Sequence, residues 1–242
     1  MGEVYSAVHE RIGQPVALKI LTKNEPRQTA RFLQEARALS KIKHPHVVQV
    51  LFFGETEAGL PFMAMEEVSG QTLRRYMQDA SPSVAPKNYL AIAAQMADGM
   101  AAVHTHHIVH RDLKPENIFV VPDPVAPLGE RVKLLDFGIA KLLDSGPALG
   151  ATEGLTRAGA LPMTPEYAAP EQVAGLAVDT RADVYALGVV LFELLTQHRP
   201  FRLPRATAAA VESAVLHELL PRPSEVVRDR QLARRLRGDL DT

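Results

Sequence analysis

The chain of 242 residues contains no cysteine and no tryptophan. The absence of cysteine excludes disulfide bonds, thiolate zinc sites, iron–sulfur clusters and a cysteine nucleophile. Neither sign of charge dominates, because the chain has 27 basic and 28 acidic residues and a net charge of −1. This balance argues against a dedicated nucleic-acid surface and against a polybasic membrane anchor.

Long apolar segments are also missing from the chain. No apolar run reaches the roughly 18 residues that a membrane-spanning helix needs. The opening residues MGEVY contain neither the basic region nor the apolar stretch of a signal peptide. We therefore expect a soluble, cytoplasmic protein without a membrane segment, and its length is ample for a substantial buried core.

The spacing of apolar residues predicts a strand-rich first part and a helical second part. Strands are expected over 4–8, 16–21, 47–53, 61–65, 118–121 and 132–135, and helices over 31–42, 88–107 and 181–196. Residues 121–131 contain three prolines and a glycine, which predicts a surface hairpin loop. The stretch 140–169 shows no clear period, and aperiodic runs of this length inside a domain are usually functional.

Two charged residues fall on apolar faces of predicted elements. Strand alternation places Lys19 on the same face as Ala17 and Leu21. Glu35 falls within the apolar arc of the helix 31–42, so its side chain is expected to point inward. Because an unpaired buried charge is costly, this pattern favours an ion pair between Lys19 and Glu35. The alternative is that each side chain extends to solvent.

The most specific pattern is the segment His110–Asn117, HRDLKPEN, with Asp136-Phe137-Gly138 beginning nineteen positions after Asn117. Further along, residues 164–171 read TPEYAAPE and end in Ala-Pro-Glu, whereas residues 16–19 read VALK. These four motifs occur in the order found in protein kinases. Over its whole length the chain resembles the protein kinase family, in particular the bacterial serine/threonine kinases of eukaryotic type.

The resemblance implies an α+β fold in two lobes. A small lobe with an antiparallel sheet and one helix would span residues 1–66, and a larger, mainly helical lobe would span residues 67–242. The implied activity is transfer of the γ-phosphate of ATP to serine and threonine hydroxyls of proteins in bacterial signalling. A catalytically impaired fragment or a pseudokinase-like scaffold is the alternative. Loss of Lys19, Asp112, Asn117 or Asp136 would favour it, and all four residues are present.

The resemblance also assigns the chemical roles. Asp112 would orient the acceptor hydroxyl and take its proton, and Lys114 would contact the γ-phosphate. Asn117 and Asp136 would bind Mg²⁺, or Mn²⁺ in its place, through the oxygen ligands that such ions prefer. Lys19, fixed by Glu35, would hold the α- and β-phosphates.

The nucleotide pocket follows from the same resemblance. Residues 2–5, GEVY, are similar to the end of a glycine-rich loop, with Gly2 as its third glycine and Val4 as the valine that covers the base. Ala17 would face adenine, and Met65 would be the gatekeeper. Residues 66–68 would form the hinge, with Glu66 at its start and Val68 at its end; their backbone would bind the adenine edge. A simple buried strand and its exit is the alternative for 61–68.

Three residues are candidates for regulation. Arg111 immediately precedes Asp112 and would pair with an activation-loop phosphate. Thr156 lies where bacterial relatives commonly autophosphorylate, although an ordinary loop threonine is the alternative. Thr164 would lie in the loop that contacts the acceptor residue and would help to orient Asp112. Asp183 is expected to be structural, hydrogen-bonding the backbone of the catalytic loop.

Two further patterns are not assigned a function. His104, His106, His107 and His110 could suggest a metal site, but no carboxylate or cysteine completes a ligand set in the sequence. The arginines between residues 222 and 237 alternate with acidic residues, which favours a solvated helical face over nucleic-acid binding.

Both ends of the kinase pattern are cut short in this sequence. The first two glycines of the loop would precede Met1, and the end at Thr242 resembles the start of a helix that normally continues. The arginine that pairs with Glu171 in the family has no substitute here. We therefore expect the chain to be a fragment of a longer kinase, whose parent could carry a membrane anchor outside this segment.

Overall fold

In the computed structural model the described residues are 2–22, 25–79, 86–137, 165–201 and 208–241. The first part of the chain forms a four-stranded antiparallel sheet in the order β1-β2-β4-β3. Its strands are β1 (Gly2–His9), β2 (Gln14–Leu21), β3 (Val50–Glu55) and β4 (Pro61–Glu66). Each strand lies within a few residues of its predicted position.

Helix α1 (Pro26–Leu39) packs against β3 and β4. Pro26 occupies its first turn, where the fixed φ of proline suits a helix start. The stripe that predicted the helix is buried, with Phe32 and Leu39 both almost inaccessible. The predicted end at Ile42 is wrong by three residues: Ile42 is buried from the turn after the helix, so it extends the apolar period without extending the helix.

The second part of the chain is mainly helical. Its helices are α2 (Leu73–Asp79), α3 (Pro86–His104), α4 (Pro170–Val173), α5 (Thr180–Thr196), α6 (Ala208–His217), α7 (Pro223–Val226) and α8 (Arg230–Leu236). A second antiparallel sheet contains β5 (Gln71–Thr72), β6 (Ile118–Pro122) and β7 (Glu130–Leu134). Strands β6 and β7 pair across the predicted loop 121–131, which confirms it as a hairpin connection. Single 3₁₀ turns occur at Pro115–Asn117, Pro127–Gly129, Pro165–Tyr167 and Asp239–Asp241.

One continuous core joins the two parts. It includes Phe32 and Met63 from the sheet side together with Met96 and Leu194 from the helical side. The loop before β3 is bonded to β7, since Leu134 N donates to His46 O at 2.9 Å and Val48 N donates to Leu134 O at 3.0 Å.

The combination of an antiparallel sheet and a mainly helical part confirms the predicted α+β class. The division into lobes at residues 66 and 67 remains a prediction.

Candidate active site

The catalytic-loop segment His110–Asn117 lies between α3 and β6, and a buried carboxylate fixes its start. Asp183, in the first turn of α5, is 1% exposed. Its Oδ2 accepts from His110 N and its Oδ1 accepts from Arg111 N, both at 2.8 Å. Asp183 therefore anchors the backbone immediately before Asp112, in the contacts expected from the resemblance.

The His110 ring links this loop to the Asp136-Phe137 segment. His110 Nδ1 accepts from Asp112 N at 3.3 Å, and Nε2 lies 3.0 Å from Leu135 O. The ring also lies 4.6 Å from the Phe137 ring. Burial lowers the pKa of His110, although the charge of Asp183 opposes the shift. The neutral ring with hydrogen on Nε2 satisfies both hydrogen bonds, so the histidine connects the two motifs without carrying charge.

Asp112 contacts two other residues of the catalytic-loop motif, Lys114 and Asn117. Lys114 Nζ lies 3.2 Å from Asp112 Oδ2. Asn117 Nδ2 donates to Asp112 O at 2.8 Å and to Oδ2 at 3.3 Å. The 3₁₀ turn Pro115–Asn117 folds the chain back towards Asp112, so that a carboxylate, a cation and an amide lie together.

Lys19 reaches the second motif directly. Its Nζ donates to Asp136 Oδ1 at 2.7 Å, and the two side chains are 17% and 47% exposed. Asp136 has a φ of 52°, a left-handed conformation that is strained for a residue other than glycine. The partner predicted for Lys19 was Glu35, whose side chain lies outside the part of the chain that the structure describes. The ion pair with Asp136 was not predicted from the sequence.

The predicted nucleotide-pocket residues are brought together by strand register. Ala17 on β2 pairs with Met65 on β4, and Val4 on β1 pairs with Lys19. Met65 is buried, whereas Val4 is half exposed. Gly2 allows close approach of β1 to β2, because an added Cβ would lie 3.0 Å from Ile20 O. By this register they lie on the same face of the sheet as Lys19.

The predicted hinge residue Glu66 uses its side chain structurally. Its Oε1 accepts from Gln49 N at 2.9 Å and from Lys133 Nζ at 2.5 Å. Val68, two residues later, is half-buried and packs against the main core. The ion pair with Lys133 ties the end of β4 to β7.

The predicted regulatory residues are only partly described. Arg111 has a φ of 62°, and within the described residues its side chain makes no ion pair. Thr156 and Thr164 lie outside the described residues, as does Gly138.

An ionic network beside the catalytic loop was not among the features predicted from the sequence. Arg74 of α2 donates from Nε to Glu116 Oε1 at 2.9 Å and from Nη1 to Glu193 Oε1 at 2.6 Å. The Tyr167 hydroxyl donates to Glu193 Oε2 at 2.5 Å and also contacts Arg74. Glu193 is the single glutamate of the apolar helix α5, and a charged residue at such a position indicates that it has a partner. This signal could not identify Arg74, which lies 119 residues away in the chain.

These contacts shift two pKa values in this network. Burial opposes the charge of Arg74, but hydrogen bonds to Glu193 and Glu116 outweigh it and raise its pKa. Burial, followed by the hydrogen bond to Glu193, raises the pKa of Tyr167. Arg74 therefore stays charged and Tyr167 stays neutral.

The histidine cluster is divided between different roles. His104 Nε2 lies 2.9 Å from Asp183 Oδ2, a pairing that the sequence did not predict. This carboxylate also anchors the catalytic loop. In the described part of the chain, no group of three or more histidine or acidic residues is arranged to hold a metal ion.

Comparison with known proteins assigns the chain to a family. The pattern of the protein kinase domain matches residues 1–231, and the chain belongs to this family. It is 41% identical to the serine/threonine-protein kinase pkn3 of Myxococcus xanthus, over 88% of this chain and 38% of that protein. It is 38% identical to the serine/threonine-protein kinase PknB of Mycobacterium tuberculosis, over 83% of this chain and 31% of that protein. A third relative is PkaB of Streptomyces coelicolor, 41% identical over 77% of this chain and 44% of that kinase.

The chain thus spans less than half the length of each of these three relatives. Protein kinase domains use ATP, a divalent metal ion and protein substrates. Among the described helices, none has the length and apolar character needed to cross a membrane.

Proposed function

We propose that this chain transfers the γ-phosphate of ATP to serine and threonine hydroxyls of proteins. The observation that carries this proposal is the convergence of Lys114 and Asn117 on the Asp112 carboxylate. Phosphoryl transfer needs positioning and charge stabilisation more than covalent help from the protein. Asp112 would accept the proton of the acceptor hydroxyl while Lys114 balances the charge of the γ-phosphate.

The donor set beside Asp112 fits a divalent cation. Among the described residues Asn117 uses Nδ2 for both of its side-chain hydrogen bonds, which leaves Oδ1 as a ligand, and Asp136 uses only Oδ1, for its bond to Lys19. Amide and carboxylate oxygens are preferred by Mg²⁺, and Mn²⁺ accepts the same ligands. When bound, the ion would neutralise phosphate charge. Lys19 would move from Asp136 to the α- and β-phosphates, with Glu35 as its support.

The adenine pocket is proposed on the face of the sheet that carries Lys19. Val4 and Ala17 would contact the base, with Met65 as the gatekeeper behind it. The backbone of 66–68, including Glu66 and Val68, would bind the adenine edge, and Gly2 would keep β1 close above the phosphates. This assignment is supported by the register that places Ala17 opposite Met65.

We infer a phosphorylation-dependent control of the same site. Arg111 precedes Asp112 and makes no ion pair among the described residues, so a phosphate on Thr156 could bind it. Thr156 would be phosphorylated by the chain itself, and Thr164 would contact the acceptor. Such a kinase would act in bacterial signalling from the cytoplasm.

Transfer of ³²P from the γ-position of ATP tests the proposed function. Myelin basic protein serves as a generic basic acceptor, with Asp136→Ala and Asp112→Asn as controls. We expect incorporation by the unmodified chain in Mg²⁺ to exceed that of both variants at least 100-fold. Equal incorporation by the chain and Asp136→Ala would overturn the proposal in favour of a binding module.

Incorporation at Thr156 is followed in the same reactions by phosphopeptide mapping. Loss of the label in Thr156→Ala, with Asp112 intact, supports autophosphorylation at that residue. Full labelling of the loop in Thr156→Ala would contradict it.

A further inference from the structure

Gln172 makes a hydrogen bond that its helix does not require. It is the third residue of α4, and its Oε1 accepts from Ala169 N at 3.0 Å, which caps the start of the helix. Its Nε2 donates to Arg111 O at 3.0 Å, across 61 residues of sequence. Because one partner is an N–H group and the other a carbonyl, only one orientation of the amide satisfies both.

The carbonyl that Gln172 holds belongs to the peptide bond between Arg111 and Asp112. The N–H group of the same peptide, on Asp112, donates to His110 Nδ1 at 3.3 Å. Both polar atoms of this peptide are therefore bonded, the N–H group to His110 within the loop and the carbonyl to Gln172 of α4. Loss of either bond frees the backbone bonds on both sides of this peptide, and a rotation there that the next bond does not compensate changes the direction of the Asp112 side chain relative to Lys114 and Asn117.

The backbone at Arg111 is in a strained conformation. Arg111 has a φ of 62°, which is unfavourable for a residue with a Cβ and persists only where neighbours hold it. Asp183 holds the N–H group of Arg111, and Gln172 holds its carbonyl. Of these two residues, Asp183 belongs to α5 and Gln172 belongs to α4, the helix that follows the Pro165–Tyr167 turn.

We propose that Gln172 is a positioning residue for Asp112. It ties the segment that leads into α4 to the catalytic loop and keeps the Arg111–Asp112 peptide in the orientation that presents the Asp112 carboxylate. This inference rests on the proposed kinase function, because the effect is expected in the transfer step.

Two variants of Gln172 separate positioning from capping. Gln172→Glu keeps an oxygen for Ala169 N but replaces the donor with an oxygen that faces the Arg111 carbonyl. Gln172→Leu removes both contacts. Gln95→Glu is the matched control, because the Gln95 amide bridges Glu130 O and Val132 N in the same way, and both of these partners lie outside the catalytic loop.

Steady-state kinetics with ATP and myelin basic protein provide the main measurement. We expect Gln172→Glu to lower kcat roughly 3- to 10-fold with an unchanged KM for ATP, as for the loss of one orienting hydrogen bond. Gln95→Glu is expected to keep the kcat of the unmodified chain. If Gln172→Glu retains full kcat while Gln172→Leu is impaired, the residue is only a helix cap and the inference is overturned.

Hydrogen exchange provides a readout that does not depend on activity. The amide of Asp112 is expected to exchange faster in Gln172→Glu than in the unmodified chain and to be unchanged in Gln95→Glu. Unchanged exchange at Asp112 in Gln172→Glu would overturn the inference. Absence of transfer by the unmodified chain would instead overturn the proposed function, and the exchange result would still decide whether Gln172 holds this peptide.

Discussion

Lys19 and Asp136 are separated by 117 residues in the sequence and form an ion pair with 2.7 Å between Nζ and Oδ1. The pair connects β2 of the sheet with the segment after β7. Its members are the residues proposed to bind phosphate and metal, and in this structure each balances the other's charge.

Replacing Lys19 is expected to affect catalysis much more than folding. Lys19→Met should lower kcat/KM at least 100-fold, because a preorganised charge at the phosphates is lost. The change in unfolding free energy should stay within about 1 kcal/mol, since Asp136 is partly exposed. Initial transfer rates and urea unfolding of the same preparations test this. Activity within threefold of the unmodified chain, or a collapse of stability, would contradict it.

Asp183 is expected to contribute strongly to stability. Asp183→Ala leaves the buried N–H groups of His110 and Arg111 without acceptors, which costs about 3 kcal/mol or more. Asp183→Asn keeps one acceptor and should be intermediate. Asp179→Ala is the matched control, because Asp179 caps the same helix from an exposed position. Urea midpoints that rank Asp179→Ala below Asp183→Ala would refute the anchoring role.

The ionic network of Arg74 predicts a non-additive mutant cycle. Arg74→Met leaves Glu193, 8% exposed, without its main cation and should cost about 3 kcal/mol. Adding Glu193→Leu should recover much of this loss, because the unpaired charge is removed. Arg75→Met, on the same helix, breaks only an exposed pair with Asp79 and should cost about 0.3–0.5 kcal/mol. Additive losses in the cycle would show that the two residues do not interact energetically.

Two helical glycines are expected to respond in opposite directions to alanine. A Cβ at Gly99 of α3 would lie 2.9 Å from Leu134 Cδ1 and 3.1 Å from His46 O, so Gly99→Ala should destabilise the fold by about 1–3 kcal/mol. Gly188 of α5 has nothing within 4 Å of the added Cβ. Gly188→Ala should therefore stabilise it by about 1 kcal/mol through helix propensity. Thermal unfolding of both variants checks this, and a stabilised Gly99→Ala would mean that α3 is not closely packed there.

Stability is expected to fall on mild acidification. Burial lowers the pKa of His110 from its ordinary 6.5, and burial also lowers the pKa of His46. Below about pH 6.5 the unfolded chain therefore binds protons that the folded chain does not. The free energy of unfolding should be constant above this pH and decrease below it. The contribution of His110 is at most about 1.4 kcal/mol per pH unit.

Urea unfolding at pH 7.5 and 5.5 measures this dependence. His110→Gln and His46→Gln should each reduce the loss between the two pH values. His106→Gln should leave the loss of stability between the two pH values unchanged, because His106 is exposed. An unchanged loss in both His110→Gln and His46→Gln would rule out these groups as its source.

Much of the site was predictable from short segments. Asp112, Lys114 and Asn117 lie within six consecutive residues, so their spacing alone keeps them close, and the motif predicts the chemistry proposed for them. The strands and the long helices were likewise predicted, because their apolar residues repeat with the period of the element. Helix ends were less predictable, as Ile42 shows, since a buried residue in a turn continues the same pattern.

The sequence by itself determined the family, the α+β class and the identity of the residues that carry the proposed chemistry. Only the tertiary structure decided three of the partnerships: Asp136 for Lys19, Glu193 for Arg74, and the Arg111 carbonyl for Gln172. Local periodicity reports which side of an element is buried. A contact between residues more than 60 positions apart depends on how the elements pack, and a charged or amide side chain in one element does not specify which distant group will satisfy it.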